Sequence, residues 1–261
     1  MTMPVANIDW DGLPYGLQRA VREHTGRVTG SRPDKGQRSD FNATLETASG
    51  LVFAKGAYQP LFAASLRNEA ATVAWVSRIA PRLLWRIDVE GWVMLGFEHV
   101  NGRHADYRPG SPDLPLLANA VAQLSKVPLP DHVSKGVERH FGGLGAMVGN
   151  RLLHTDLHQE NVLISGDRAV LVDWAWACKG AAWVEPAMAA FRLMVAGHSI
   201  DEAEDWGRGL ATWQDGTVLD KFVIANYRSW RQAADHDPRD WKLRAADMAH
   251  RWSLHRNMPP R

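Results

Sequence analysis

In "LPYGLQRAVREH" (13–24) the apolar positions Leu13, Leu17, Ala20 and Val21 recur at helical spacing. The pattern then changes. Within 26–58, "FNATLET" and "LVFAKGAY" read as strands joined at "ASG", a hairpin signal, and the Gly-rich, polar "GSRPDKGQRSD" before them reads as a loop. A helical period returns over 61–80 and is stopped by Pro81. "RLLWRIDVEGWVMLGFEHV" (82–100) reads as two more strands turning at Glu90-Gly91. "NGRHADYRPGSPD" (101–113) is the best linker, with its glycines, prolines and asparagine. After it the chain reads as helical over 115–127, 135–148, 184–197, 200–213, 218–233 and 238–256. The exception is "RLLHTDLHQENVLISGDRAVLVDWAWA", where strand-like runs alternate with polar loops. The pattern predicts an α+β chain in two lobes. Residues 1–100 form a small β-rich lobe with a leading helix, and residues 101–261 a larger helical lobe. A cleft at such a boundary is the favoured ligand site.

Composition narrows the classes. The 261 residues suffice for one large domain or two modest lobes around a real core, and no internal repeat or low-complexity tract interrupts them. The formal charge is +1, so no strong field draws the chain to nucleic acid or a membrane, and neither partner is expected. No apolar run approaches the roughly 20 residues needed to span a bilayer. "MTMPVANIDWDG" lacks a basic n-region and an apolar h-region, so no signal peptide is expected and the expected location is cytoplasmic. Cys178 is the single cysteine, which excludes an intrachain disulfide and any cysteine-rich metal site. Most of the 12 tryptophans are expected in the core.

The chemistry concentrates in "HTDLHQEN" (154–161), with two histidines, two acids, a glutamine and an asparagine in eight residues. Just beyond it, "VLIS" and "AVLVDW" flank the hairpin signal "SGD". With Gly166-Asp167 as a two-residue turn, Ser165 faces Arg168, Val162 faces Leu171 and Asn161 faces Val172. That register brings Asn161 and Asp173 together at the open end. An amide oxygen and a carboxylate side by side are hard ligands suited to Mg²⁺, which takes further ligands from water and substrate phosphates. Asp156, in the loop feeding the hairpin, is placed to accept a proton from an attacking hydroxyl. A zinc site on His154, Asp156 and His158 is the competing reading. Residues two apart on an irregular loop coordinate one ion poorly, and no second cluster such as H-E-x-x-H occurs.

"HTDLHQENVLI" followed by "VLVDW" resembles the aminoglycoside phosphotransferase family, which has the protein-kinase-like fold. The pattern is H-x-D-x-x-x-x-N followed by D, with His after Asp-Leu and Trp after the second Asp. The resemblance covers roughly residues 25–200. It implies a two-lobe fold, with Asp156 as catalytic base or hydroxyl-orienting group, Asn161 and Asp173 as magnesium ligands, and His154 as a brace for the loop. It also implies a strand lysine that neutralises phosphate charge and a helix glutamate that holds it. Lys55 in "LVFAKGAY" and Glu69, the only acid in 61–80, take those positions.

The resemblance further implies ATP as donor, with GTP as the alternative. Neither G-x-G-x-x-G nor the P-loop pattern is present, so the loop holding Gly36, Ser39 and Asp40 is the candidate phosphate cap. The backbone of Glu98 and Val100 is the candidate adenine contact, with Met94 or Phe97 near the ring. The acceptor is expected to be a small-molecule hydroxyl, first that of an aminoglycoside or related antibiotic. A choline-, homoserine- or sugar-like metabolite is the alternative, and an inactive nucleotide-binding protein is a rival of another class. Asp201, Glu202, Glu204, Asp205 and Asp215 are a candidate surface for a cationic acceptor, or else the solvated start of a helix capped by Ser199. Where the family often has Asp-Leu-Ala, this chain has Glu185-Pro186-Ala187, and Glu185 is the candidate replacement acid.

Overall fold

The computed structural model describes residues 8–34 and 39–257, so Gly36 lies outside the described residues. The chain divides into two compact units, Met1–Asn101 with Val172–Trp176, and Gly102–Leu171 with Ala177–Arg261.

The first unit begins with α1 (Tyr15–Thr25). It continues through β1 (Val28–Pro33), β2 (Phe41–Thr47), β3 (Gly50–Ala57), α2 (Pro60–Val73), β4 (Leu83–Val89) and β5 (Trp92–Glu98). These strands form one antiparallel sheet in the order β1-β2-β3-β5-β4, so β3 is its middle strand. Leu17 and Val21 of α1 are fully buried in a cluster with Phe41, Leu45, Val52, Ala54, Trp85 and Met94. Alternation along β3 sends Val52 and Ala54 into that core and Lys55 to the opposite face. Glu90 and Gly91 both have positive φ (52° and 81°), which is the geometry that matches a two-residue turn to strand twist.

Two expectations for this unit need correction. Residues 30–33 of the stretch ahead of β2 belong to a strand rather than to the expected loop. Gly30 and Pro33 are tolerated there because β1 is an edge strand, bonded only to β2. The helix over 61–80 ends early, at Val73. Beyond it Trp75, Val76 and Ile79 each bond three residues back. Val73, Val76 and Ile79 are all buried, and that three-residue spacing suits tight turns better than a 3.6-residue helix.

The second unit contains β6 (Arg103–His104), α3 (Leu114–Leu124), β7 (Arg151–Leu153), β8 (Val162–Ser165), β9 (Arg168–Leu171) and β10 (Cys178–Gly180). Four helices follow: α4 (Val184–Val195), α5 (Ile200–Arg208), α6 (Thr217–His236) and α7 (Asp240–Asn257). The α4, α6 and α7 helices share an aromatic core. Phe191 stacks on Trp252 at 6.1 Å, and Trp183 meets Phe222 edge-on at 5.7 Å.

Here too the sequence reading is amended. Residues 102–113 are not a free linker. Arg103 and His104 pair with β8, and the buried Asp113 carboxylate accepts from the Arg103 guanidinium at 2.6 and 2.7 Å and from the Asp106 amide at 2.8 Å. The helix expected over 135–148 is replaced by two 3₁₀ turns, Val137–Phe141 and Gly145–Met147. Gly142 and Gly143 between them sit at φ 67° and 78°, outside the helical region. The helix from residue 200 stops at Arg208, between two glycines that favour it poorly.

Candidate active site

In the first unit, the Lys55 ammonium lies between two carboxylates. It donates to Glu69 Oε1 and Oε2 of α2 at 3.1 and 3.2 Å and to Asp173 Oδ1 at 2.9 Å. Asp173 reaches it from a backbone at φ 65°, and the Trp174 amide after it donates to Glu69 Oε1 at 3.1 Å. The Lys55 side chain is 12% exposed and that of Glu69 2%. A lysine on a middle strand has no edge along which to reach solvent, so its charge is met inside the unit. Burial alone would pull the Lys55 pKa down. The Asp173 and Glu69 carboxylates outweigh burial and hold it above the ordinary lysine value. Burial lifts Glu69 above the usual carboxylate range, opposed by the Lys55 ammonium.

In the second unit, the 154–161 loop leaves β7 and enters the β8–β9 hairpin. That hairpin has the expected register, Ser165 opposite Arg168 and Val162 opposite Leu171, where the ladder ends. His154 is fully buried, and its Nδ1 accepts from the Asp156 amide at 3.3 Å. His158 caps the short 159–161 turn, its Nδ1 accepting from the Glu160 amide at 3.3 Å. Both imidazoles thus direct a ring nitrogen at a loop amide. Among the described residues no group of three or more His, Cys, Asp or Glu is arranged to hold a metal ion. Asn161 Nδ2 donates to the Asp156 carbonyl at 3.0 Å and to its Oδ2 at 3.3 Å. Below the loop, the Tyr107 hydroxyl donates to the Leu157 carbonyl at 3.3 Å, and burial pushes its pKa above the usual phenol value.

Helix α4 braces this loop with the only two charged residues it contains. The buried Glu185 carboxylate accepts the His154 amide and, at 3.1 and 3.2 Å, the Thr155 amide. Burial raises Glu185 to about 7, against the pull of these amides. Two turns on, Arg192 Nη2 donates to Asp156 Oδ1 at 3.0 Å, and the guanidinium lies 5.3 Å from the centroid of the Trp230 ring. Sequence reasoning singled out Glu185 and missed Arg192. A signal was available: in the apolar "VEPAMAAFRLMV" the two charges are seven residues apart, on one helix face. Cys178 of β10 is buried, and burial pushes its thiol up to about 11.

Other candidate residues stand elsewhere. Ser39 is buried, and its hydroxyl accepts from the Asn42 amide group. Asp40 accepts from the Tyr58 and Gln59 amides at 2.7 and 3.1 Å, at the entrance to α2. The Glu98 amide donates to the Arg82 carbonyl at 2.9 Å, and its carboxylate accepts the Arg82 amide at 3.0 Å. Val100 follows β5 without regular structure. Met94 belongs to the α1-side core.

The acids of 201–215 are mostly paired within the second unit. Glu202 and Ser199 form a reciprocal helix cap. Glu204 is buried and accepts from Arg208, Arg256 and the Trp252 indole. Asp205 and Asp215 both bond Arg208, at 2.6 and 2.9 Å, and Asp201 meets His255 at 3.2 Å.

No helix among the described residues is long and apolar enough to cross a membrane. No curated protein sequence matches the chain. Solved structures do. The choline kinase LicA from Streptococcus pneumoniae superposes with a TM-score of 0.66 at 12% identity, over 92% of this chain and 99% of that one. A thermostable mutant of the aminoglycoside phosphotransferase APH(4)-Ia, in ternary complex with ADP and hygromycin B, gives 0.62 at 12% identity, over 94% and 100%. A choline/ethanolamine kinase family protein from Mesorhizobium loti gives 0.58 at 15%, over 93% and 96%. Residues 115–222 match the model of the phosphotransferase enzyme family. The likeness to these structures shows the protein-kinase-like fold, and the 115–222 segment is similar to the phosphotransferase enzyme family.

Proposed function

We propose that this protein transfers the γ-phosphoryl group of ATP, with GTP as the alternative donor, to a hydroxyl of a small molecule. The observation that carries the reading is the Lys55 ammonium held between Glu69 and Asp173. An ammonium fixed in this way is suited to nucleotide phosphates, and Glu69 keeps it oriented. In this reading the first lobe, 1–100, binds nucleotide and the second, 101–261, supplies the catalytic loop and the acceptor site. Asp156 accepts or orients the acceptor's hydroxyl proton as its oxygen attacks the γ-phosphorus, and ADP leaves. Ser39 near the phosphates, and the backbone of Glu98 and Val100 near adenine, are weaker members of the set. The Ser39 hydroxyl and the Glu98 amide already have protein partners.

Asn161 and Asp173 fit magnesium as hard oxygen donors. The Asn161 amide nitrogen is committed to Asp156, which leaves its Oδ1 for a cation. When bound, magnesium would supply positive charge against the nucleotide phosphates.

Two acceptor classes compete. An aminoglycoside would be a polycation in need of free carboxylates, whereas a choline-, homoserine- or sugar-like metabolite would not. The pairing of Glu204, Asp205 and Asp215 with Arg208 and Arg256 favours the second. The test is ADP release with Mg·ATP and a panel of aminoglycosides, peptide antibiotics and small alcohols, with Asp156→Asn beside the wild type. Acceptor-dependent release that the variant loses supports the reading, and a chain that does not bind ATP at all rejects it.

A further inference from the structure

Resting on the phosphotransferase reading, we infer that Arg192 selects acceptors that carry an oxyanion, a carboxylate or phosphate, beside the hydroxyl to be phosphorylated. A guanidinium has five N–H donors in a rigid plane. Among the described residues Arg192 makes one donation, to Asp156 Oδ1. Its side chain is 20% exposed, so the fork is largely sheltered but still reaches solvent next to Asp156. The guanidinium also lies over the Trp230 ring, a cation–π contact that helps hold it in place. A planar cation held this way is prepared for two parallel bonds to a carboxylate or phosphate, at little further entropic cost.

Two surrounding features act in the same direction. The Trp230 ring already faces the guanidinium, so it is not open as a cage wall for a quaternary ammonium. The Glu204, Asp205 and Asp215 carboxylates are each paired with Arg208 or Arg256, which weakens their pull on a cationic acceptor. An oxyanion beside Asp156 therefore meets the unused N–H donors of Arg192, which a cationic acceptor cannot engage.

The test is calorimetric binding to the full chain in the presence of magnesium and AMP-PNP. The probes are glycerate, glycerol 3-phosphate, glycerol and choline, which all carry hydroxyls and differ in charge. At least one oxyanion probe should bind about tenfold to a hundredfold tighter than glycerol and choline, the range expected for a hydrogen bond to a charged group. Arg192→Met should lose that preference while keeping its affinity for AMP-PNP, and Arg192→Lys should recover part of it. A purely structural role for Arg192 would weaken all probes alike. The inference is overturned if no oxyanion probe binds more tightly than glycerol, or if Arg192→Met retains the preference. Should Arg192→Met not fold, the wild-type preference and Arg192→Lys decide. Failure of the phosphotransferase reading is seen separately, as no AMP-PNP binding or no ADP release with a probe that binds.

Discussion

The Glu185 carboxylate accepts the backbone N–H of Thr155 at 3.1 Å, and Thr155 sits at φ 69°. A β-branched residue in the left-handed region costs about 1–3 kcal/mol and persists only where its surroundings enforce it. Glu185 is that enforcement, since it also takes the His154 amide and so fixes the two residues leading into Asp156. Glu185→Ala should leave two buried amides unpaired and cost about 3 kcal/mol, checked by urea unfolding. Acceptor-dependent ADP release should fall further than nucleotide affinity, because the loop is disturbed and the first unit is not.

Glu185 also predicts a pH dependence. Its folded-state value is raised to about 7 from an ordinary 4.5, so between those limits the folded chain holds a proton that the unfolded chain has released. Stability therefore falls as pH rises through that window and levels off above it. Each unit of difference is worth about 1.4 kcal/mol, which puts the full effect at about 3 kcal/mol. Glu185→Gln should flatten this part of the stability profile. Thermal unfolding between pH 4 and 8 measures it, and an unchanged slope in the variant would contradict the assignment.

Lys55→Met should abolish detectable transfer, a loss of about a hundredfold or more by analogy with removal of one charge-stabilising donor. It also leaves the buried Glu69 carboxylate without its cation, beside a partly exposed Asp173, at a cost of about 3 kcal/mol. Adding Glu69→Gln should restore part of that stability without restoring activity. A double-mutant cycle on denaturation midpoints reads the coupling directly.

Asp156→Asn should lower acceptor-dependent ADP release by about 10²–10⁴ and leave nucleotide affinity within a few-fold. Its stability cost should be about 1 kcal/mol or less, because the Arg192 pair is partly solvated. A large loss of nucleotide binding in this variant would remove Asp156 from the proposed role.

Glu204→Ala should destabilise the second unit by about 3–5 kcal/mol, since it strips Arg256 and Arg208 of a buried partner and leaves the Trp252 indole unbonded. The exposed Asp201→Asn should change stability by less than about 1 kcal/mol. Neither substitution should alter the relative use of cationic and neutral acceptors in ADP release. If Glu204→Ala folded normally and changed that selectivity, the acids would have to be reassigned to the acceptor site.

Much of the fold was legible because local rules sufficed. β2 and the two-residue turns at Glu90-Gly91 and Gly166-Asp167 follow from alternation and from residues that accept positive φ. Lys55 was recognisable as a charge in an apolar strand, and Glu69 as the only acid on the following helix. What failed depended on neighbours. β1 contains Gly30 and Pro33 and is a strand only because β2 offers it an edge. The 135–148 segment has helical composition, but its glycines adopt backbone angles that a helix excludes.

The sequence by itself determined the α+β class, the polar loop at His154–Asn161 and the register of the hairpin after it. Hydrophobic period, turn residues and motif spacing all act within a few residues of one another. Only the tertiary structure decided how charges separated along the chain are neutralised. Lys55 and Asp173 are 118 residues apart, and Arg192 and Asp156 are 36 apart. Glu204 became scaffold rather than surface because α7 brings Arg256 to it, 52 residues away. A buried charge must find its partner in space, and spacing along the chain does not say where that partner will be.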